Sequence, residues 1–128
     1  MAQDQLSNAL STILNYERQG KKECAVKSSK LIKEVLAVMQ AHGYIGSCKE
    51  VQSVRGNELV VNLIGAINKC GVVKPRYPIT LAEFTKFEVR YLPAKGFGIL
   101  ILSTPKGVID NETAVNKKAG GRLLAYCY

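Results

Sequence analysis

Leu6, Leu10, Ile13 and Leu14 recur at i, i+4, i+7 and i+8, one face of a 3.6-residue period. Gly20 stands where a helix end takes a left-handed residue, so the pattern predicts a first helix from about Asp4 to Gln19. A short strand-like run, Glu23 to Val26, follows. Ser28 and Ser29, good N-cap types, precede a second apolar stripe of Leu31, Ile32, Val35, Leu36 and Met39, which Gly43 closes. Two strand-like runs come next, Ile45 to Val54 and Glu58 to Ile64, joined by Arg55-Gly56-Asn57, where Gly and Asn suit the positive φ of a hairpin turn. Residues 1–64 therefore read αβαββ.

After Gly65 the texture changes. INKCGVVKPRYPI carries two prolines, three cations and short apolar pieces, which predicts extended segments at a lobe boundary. Thr80-Leu-Ala-Glu83 has the spacing of a capping box, opening a helix to about Tyr91 that Pro93 stops. Phe97 to Leu102 predicts a strand, Asp110 caps a short helix to about Lys118, and Arg122 to Tyr128 predicts a last strand. Tyr126 and Tyr128 share a face, with at least one expected inside. The chain thus reads as α+β in two small lobes: an αβαββ lobe over 1–64 and a mainly β lobe with short helices over 65–128.

Charge narrows the partners. Eighteen Lys and Arg stand against ten Asp and Glu in 128 residues, a net charge of +8, which favours a polyanionic partner. From Gly65 onward ten basic residues meet four acidic ones, a net +6, so the second lobe is the expected docking surface. No apolar stretch approaches the ~20 residues of a membrane span, and MAQDQLSNAL lacks a basic start and an apolar core. A soluble, cytoplasmic protein with no membrane partner is expected.

Catalytic chemistry is poorly supplied. His42, the single histidine, ends the second predicted helix in AHGY, where terminal carbonyls are its ordinary partners. No phosphate-loop, nucleophile-elbow or dinucleotide motif occurs. Cys24, Cys48, Cys70 and Cys127 have no C-x-x-C spacing, which disfavours zinc. Cys24, Cys48 and Cys127 read as small buried hydrophobes on strands, and a disulfide is permitted but not favoured. No metal, cofactor or small-molecule substrate is expected.

One stretch stays ambiguous on these grounds. In ILILSTPKGVI, Ser103 and Thr104 could simply end a strand before a turn, or their hydroxyls could address a ribose or a base edge while Lys106 takes a phosphate and Gly107 permits close approach. Gly120-Gly121-Arg122 poses the same choice between a plain turn and an opening for RNA. A phosphate-handling enzyme using the Ser103-Thr104 loop, and a generic basic surface for an acidic protein, are the competing readings.

Four ordered blocks carry a resemblance: VMQAHGYIG (Val38 to Gly46), INKCGVVKPRYP (Ile67 to Pro78), YLPAKGFGILILSTPKGVI (Tyr91 to Ile109) and GGRLLAYCY (Gly120 to Tyr128). Together they make the chain resemble, over essentially its whole length, ribosomal protein eight of the small subunit in its archaeal and eukaryotic form. The resemblance implies a non-enzymatic ribosomal constituent that binds an irregular helix in the central domain of small-subunit ribosomal RNA, nucleating its folding beside neighbouring ribosomal proteins. It implies that Ser103, Thr104, Lys106 and Gly107 meet RNA, flanked by Lys69, Lys74, Arg76 and Tyr77 and by Gly120, Gly121 and Arg122. In the first lobe it implies Asn8, Lys27, Ser29 and Lys30. Three departures stand out: Pro105 replaces a third hydroxyl, Arg122 stands where bacterial members carry an acid, and VKSSK lacks the proline usual before the second helix.

Overall fold

The computed structural model describes residues 5–54, 56–73, 78–93, 98–105 and 107–128, with the backbone alone at 53, 81 and 85. The chain divides into two compact units, Met1–Ile67 and Asn68–Tyr128.

In the first unit, α1 (Gln5–Arg18) leads to β1 (Glu23–Lys27), α2 (Lys30–Ala41), β2 (Ile45–Ser53) and β3 (Gly56–Leu63). The strands form an antiparallel sheet in the order β1-β3-β2. Leu6, Ala9, Leu10 and Ile13 of α1 and Ile32, Val35, Leu36 and Met39 of α2 are buried, together with alternate strand residues Cys24, Val26, Leu59, Val61 and Leu63. The two helical stripes thus close over one sheet face, as the 3.6 and 2.0 periods require. Ala9 takes the inner place expected of Leu14, which is half-buried. Gly43, at φ +77°, ends α2 in the left-handed conformation, and the Tyr44 N–H reaches back to the Met39 carbonyl at 3.0 Å. The hairpin is tighter than expected: Ser53 pairs with Gly56 and Gln52 with Asn57, so Gly56 and Asn57 belong to β3 rather than to the turn. Arg55 lies outside the described residues.

The second unit contains β4 (Cys70–Val72), β5 (Pro78–Ile79), a single 3-10 turn (Leu81–Glu83), α3 (Phe84–Tyr91), β6 (Ile99–Thr104), β7 (Gly107–Asp110), α4 (Asn111–Asn116) and β8 (Gly121–Cys127). Its antiparallel sheet runs β4-β8-β6-β7, with β5 also paired to β8. The Glu83 carboxylate accepts the Thr80 N–H at 3.3 Å and the Thr80 hydroxyl at 2.9 Å, fixing the entry to α3. The expected helix therefore begins as a 3-10 turn. The strand expected from Phe97 to Leu102 instead includes Ser103 and Thr104, Phe97 lies outside the described residues, and β7 went unforeseen. Val73, Ile79, Phe84, Phe87, Leu92, Leu100, Leu102, Ala114 and Leu123 form the core, with Tyr91, Tyr126 and Tyr128 packed against it. Tyr126 and Tyr128 do share a face, with ring centroids 6.3 Å apart, but neither is fully buried. Tyr91 extends that stack at 5.6 Å from Tyr126.

One irregularity organises this sheet. Ile101 pairs with Ala125, but Leu102 pairs with Leu123, leaving Leu124 as an extra residue in β8. This bulge reverses the alternation of the strand, so Leu123 faces the core with Tyr126 while Arg122 turns to the other side.

All four cysteines carry thiols. Cys24, Cys70 and Cys127 are buried, whereas Cys48, expected inside, is only half-buried. Burial pushes the Cys24 thiol up to about 11, with Cys48 and Glu17 acting in the same direction. Burial likewise raises the Glu17 carboxyl, countered by a hydrogen bond from the Gly65 backbone. Because the folded Cys24 is the weaker acid, its contribution to stability is full below the unfolded thiol value near 8.5 and is lost as pH rises through about 11. Cys24→Ala should therefore be less stable than wild type at pH 8, with the gap narrowing between pH 9 and 11 in urea titrations. Parallel curves would exclude this linkage.

Candidate nucleic-acid interface

The Ser-Thr pair forms the last two residues of β6. Thr104 pairs with Gly107, so β6 and β7 form a hairpin whose connection leaves Thr104 at Pro105. Strand alternation then separates the two hydroxyls. Thr104 shares the face of Leu100 and Leu102, is 8% exposed, and donates its hydroxyl to the Gly107 carbonyl at 2.8 Å. Ser103 lies on the opposite face, half-buried, and its hydroxyl makes no hydrogen bond among the described residues. Thr104 thus closes the hairpin, while no described residue takes the Ser103 hydroxyl as donor or acceptor. Gly107 has φ +124°, and the space where a Cβ would stand is open to 4 Å, so its backbone conformation, rather than crowding, calls for glycine. Lys106 lies outside the described residues.

The Gly-Gly-Arg segment converges on the same end of the sheet. Arg122 is exposed and pairs with Ser103 on one side and with Pro78 on the other. A Cβ on Gly121 would fall inside contact distance of the Ser103 carbonyl oxygen and 3.0 Å from Thr104 Cγ2, and one on Gly120 would lie 2.8 Å from the Ile79 carbonyl oxygen. Both glycines therefore let three strands meet closely, which places Ser103 beside Arg122. Sequence reasoning left this glycine pair between a turn and an RNA opening; its first role is packing. Pro78 was missed as a neighbour of Arg122, since only β pairing reveals it. Lys74, Arg76 and Tyr77 lie outside the described residues. Lys69 exchanges both backbone hydrogen bonds with Tyr128, at the far end of β8 from Arg122 and roughly 20 Å away along the strand.

In the first unit, Asn8 and Lys27 line one groove of about 460 Å³ between α1 and β1, with Gln5 and Thr12. The Thr12 hydroxyl donates to the Asn8 carbonyl at 2.9 Å. Gln5 and Thr12 were missed, although their spacing of three and four from Asn8 places them on its helix face. Ser29 caps α2, its side-chain oxygen accepting the Ile32 N–H at 3.2 Å, and Lys30 is the exposed first residue of that helix. Ser28 donates to Glu50 at 2.8 Å, which also takes Lys33 at 2.8 Å and Asn57 at 3.2 Å. These bonds, that from Lys33 foremost, hold the Glu50 carboxyl below its usual range and tie the start of α2 to the sheet.

The family model described as Ribosomal protein S8 matches residues 4–128. The chain belongs to the ribosomal protein S8 family. Members of this family are structural constituents of the small ribosomal subunit that bind its ribosomal RNA and take part in translation; they are not enzymes. Their partners are ribosomal RNA and other ribosomal proteins. The mixed α+β architecture is that of the family. Among the described residues no His, Cys, Asp or Glu cluster of three or more could hold a metal ion, and no helix is long and apolar enough to cross a membrane.

The two hydroxyls should separate in stability measurements. Thr104→Val removes a partly buried hydrogen bond and should lower unfolding stability by about 1 kcal/mol, whereas Ser103→Ala should change it by less than about 0.5 kcal/mol. Gly121→Ala should cost about 3 kcal/mol or more through overpacking against backbone. Denaturant midpoints compare the three, and equal effects of the Ser103 and Thr104 changes would refute the division.

Proposed function

We propose that this chain is a primary binder of the central domain of small-subunit ribosomal RNA in the cytoplasm, where it stabilises one irregular helix and nucleates folding around it. The observation that carries this reading is the gathering of Ser103, Pro105 and Arg122 at one sheet end, with no partner for the Ser103 hydroxyl among the described residues.

In this reading Ser103 addresses a ribose or base edge in the shallow minor groove, where 2′-hydroxyls distinguish RNA. Thr104 holds the hairpin closed beneath this contact. Gly107, Gly120 and Gly121 keep the backbone close to the ligand, and Arg122 meets phosphate, for which its forked, permanently charged side chain is suited. The family resemblance adds Lys106, Lys74, Arg76 and Tyr77 as further contacts to RNA. Lys69 serves as a separate phosphate contact along the strand. On the first unit, Asn8, Lys27, Ser29 and Lys30 form a secondary surface, supported by the shared groove of Asn8 and Lys27 and the cationic start of α2.

The test is a titration against a central-domain fragment and a size-matched regular duplex at several salt concentrations. A preference for the fragment that survives raised salt is expected; equal binding that collapses with salt would overturn the proposal, leaving the +8 charge acting alone. Ser103→Ala should weaken binding to the fragment by about 1–2 kcal/mol and leave duplex binding unchanged. Arg122→Gln should weaken both and reduce the salt slope by about one unit.

A further inference from the structure

The register of the second sheet singles out one cysteine pair. Cys70 of β4 stands directly opposite Cys127 of β8. Their neighbours Lys69 and Tyr128 exchange both N–H to carbonyl bonds, each at 2.9 Å, so the next pair along, Cys70 and Cys127, is a non-hydrogen-bonded pair. In that position antiparallel Cα atoms lie about 4.5 Å apart with side chains on one face, inside the ~4.4–6.8 Å range that a disulfide spans. The other possible pair within one unit is excluded by the same reasoning. Cys24 and Cys48 each pair with Val61, one on either side of β3, so two strand spacings of about 4.8 Å separate them. That exceeds the ~7 Å limit for a bridge.

We propose that Cys70 and Cys127 form a modification site, a cross-strand disulfide made by exchange with a small-molecule disulfide such as oxidised glutathione. Cys70 is 4% exposed and Cys127 0%. The three-residue β4 is an edge strand, paired among the described residues only to β8, so Cys70 is the thiol that local detachment of the edge uncovers. Its thiolate attacks one sulfur of the small disulfide, forming a mixed disulfide and releasing one small thiol. As β4 re-docks, the Cys127 thiolate attacks the Cys70 sulfur, forming the protein disulfide and releasing the second small thiol. Two protein thiols are oxidised, and the small disulfide is reduced to two thiols by the same two electrons and two protons. The product joins residues 57 positions apart and fastens β4 to the strand whose other end carries Arg122.

The full chain, purified under reducing conditions, is equilibrated in glutathione buffers of increasing oxidised fraction, then alkylated, weighed intact and digested without reductant. The expected result is loss of two hydrogens, one linked peptide joining Cys70 to Cys127, and a melting temperature raised by about 10 °C, the scale expected for a native-like cross-link. The double variant Cys24→Ala, Cys48→Ala should behave the same, and Cys70→Ser should stop at no intramolecular link. A linkage through Cys24 or Cys48, accumulation of glutathione adducts without a protein disulfide, or a lower melting temperature on closure would overturn the proposal. The wild-type peptide map decides the pairing even if a cysteine variant fails to fold.

Discussion

The second unit depends on how closely three backbones approach at the start of β8. Gly121 lies against the Ser103 carbonyl and Gly120 against the Ile79 carbonyl, with no space for a Cβ at either position. Because β8 pairs with β4 and β5 on one side and β6 on the other, that approach sets the register of the whole sheet. The core of Leu100, Leu102 and Leu123 follows from it, and so does the juxtaposition of Ser103 with Arg122.

The same packing gives two adjacent hydroxyls different work. A strand exposes successive side chains to opposite faces, so Thr104 is carried to the core side and closes the hairpin, while Ser103 makes no side-chain hydrogen bond among the described residues. The proposed contact with RNA needs donors and acceptors already held in place, since ordering them on binding would subtract from affinity. Here the serine is held by strand pairing on both sides, through Val108 and Arg122. Pro105 adds stiffness to the turn beyond it, its ring fixing φ.

The first unit reaches a comparable end by electrostatics rather than steric fit. Glu50 gathers Ser28, Lys33 and Asn57 around one exposed carboxylate, holding the segment between β1 and α2 against the sheet. Exposed pairs of this kind contribute little to stability. Their effect is positional: Lys27, Ser29 and Lys30 are presented from a segment anchored at several points.

Periodicity was enough to reveal α1 and α2, most of their buried stripes and the αβαββ order, because each depends on neighbours within a few residues; Leu14 and Leu31, expected inside, are half-buried. Four ordered blocks were enough to reveal the family, which the match over residues 4–128 shows. What only the tertiary structure decided was relational. Read at period two, Arg122 belongs on the face of Tyr126 and Tyr128, in the core. The bulge at Leu124 moves it to the opposite face beside Ser103, and no local pattern announces that bulge, because it exists only as a mismatch between two strands. The opposition of Cys70 and Cys127 and the packing role of Gly121 have the same origin. Each is a property of strands distant in sequence meeting in one register, which the chain specifies only by folding.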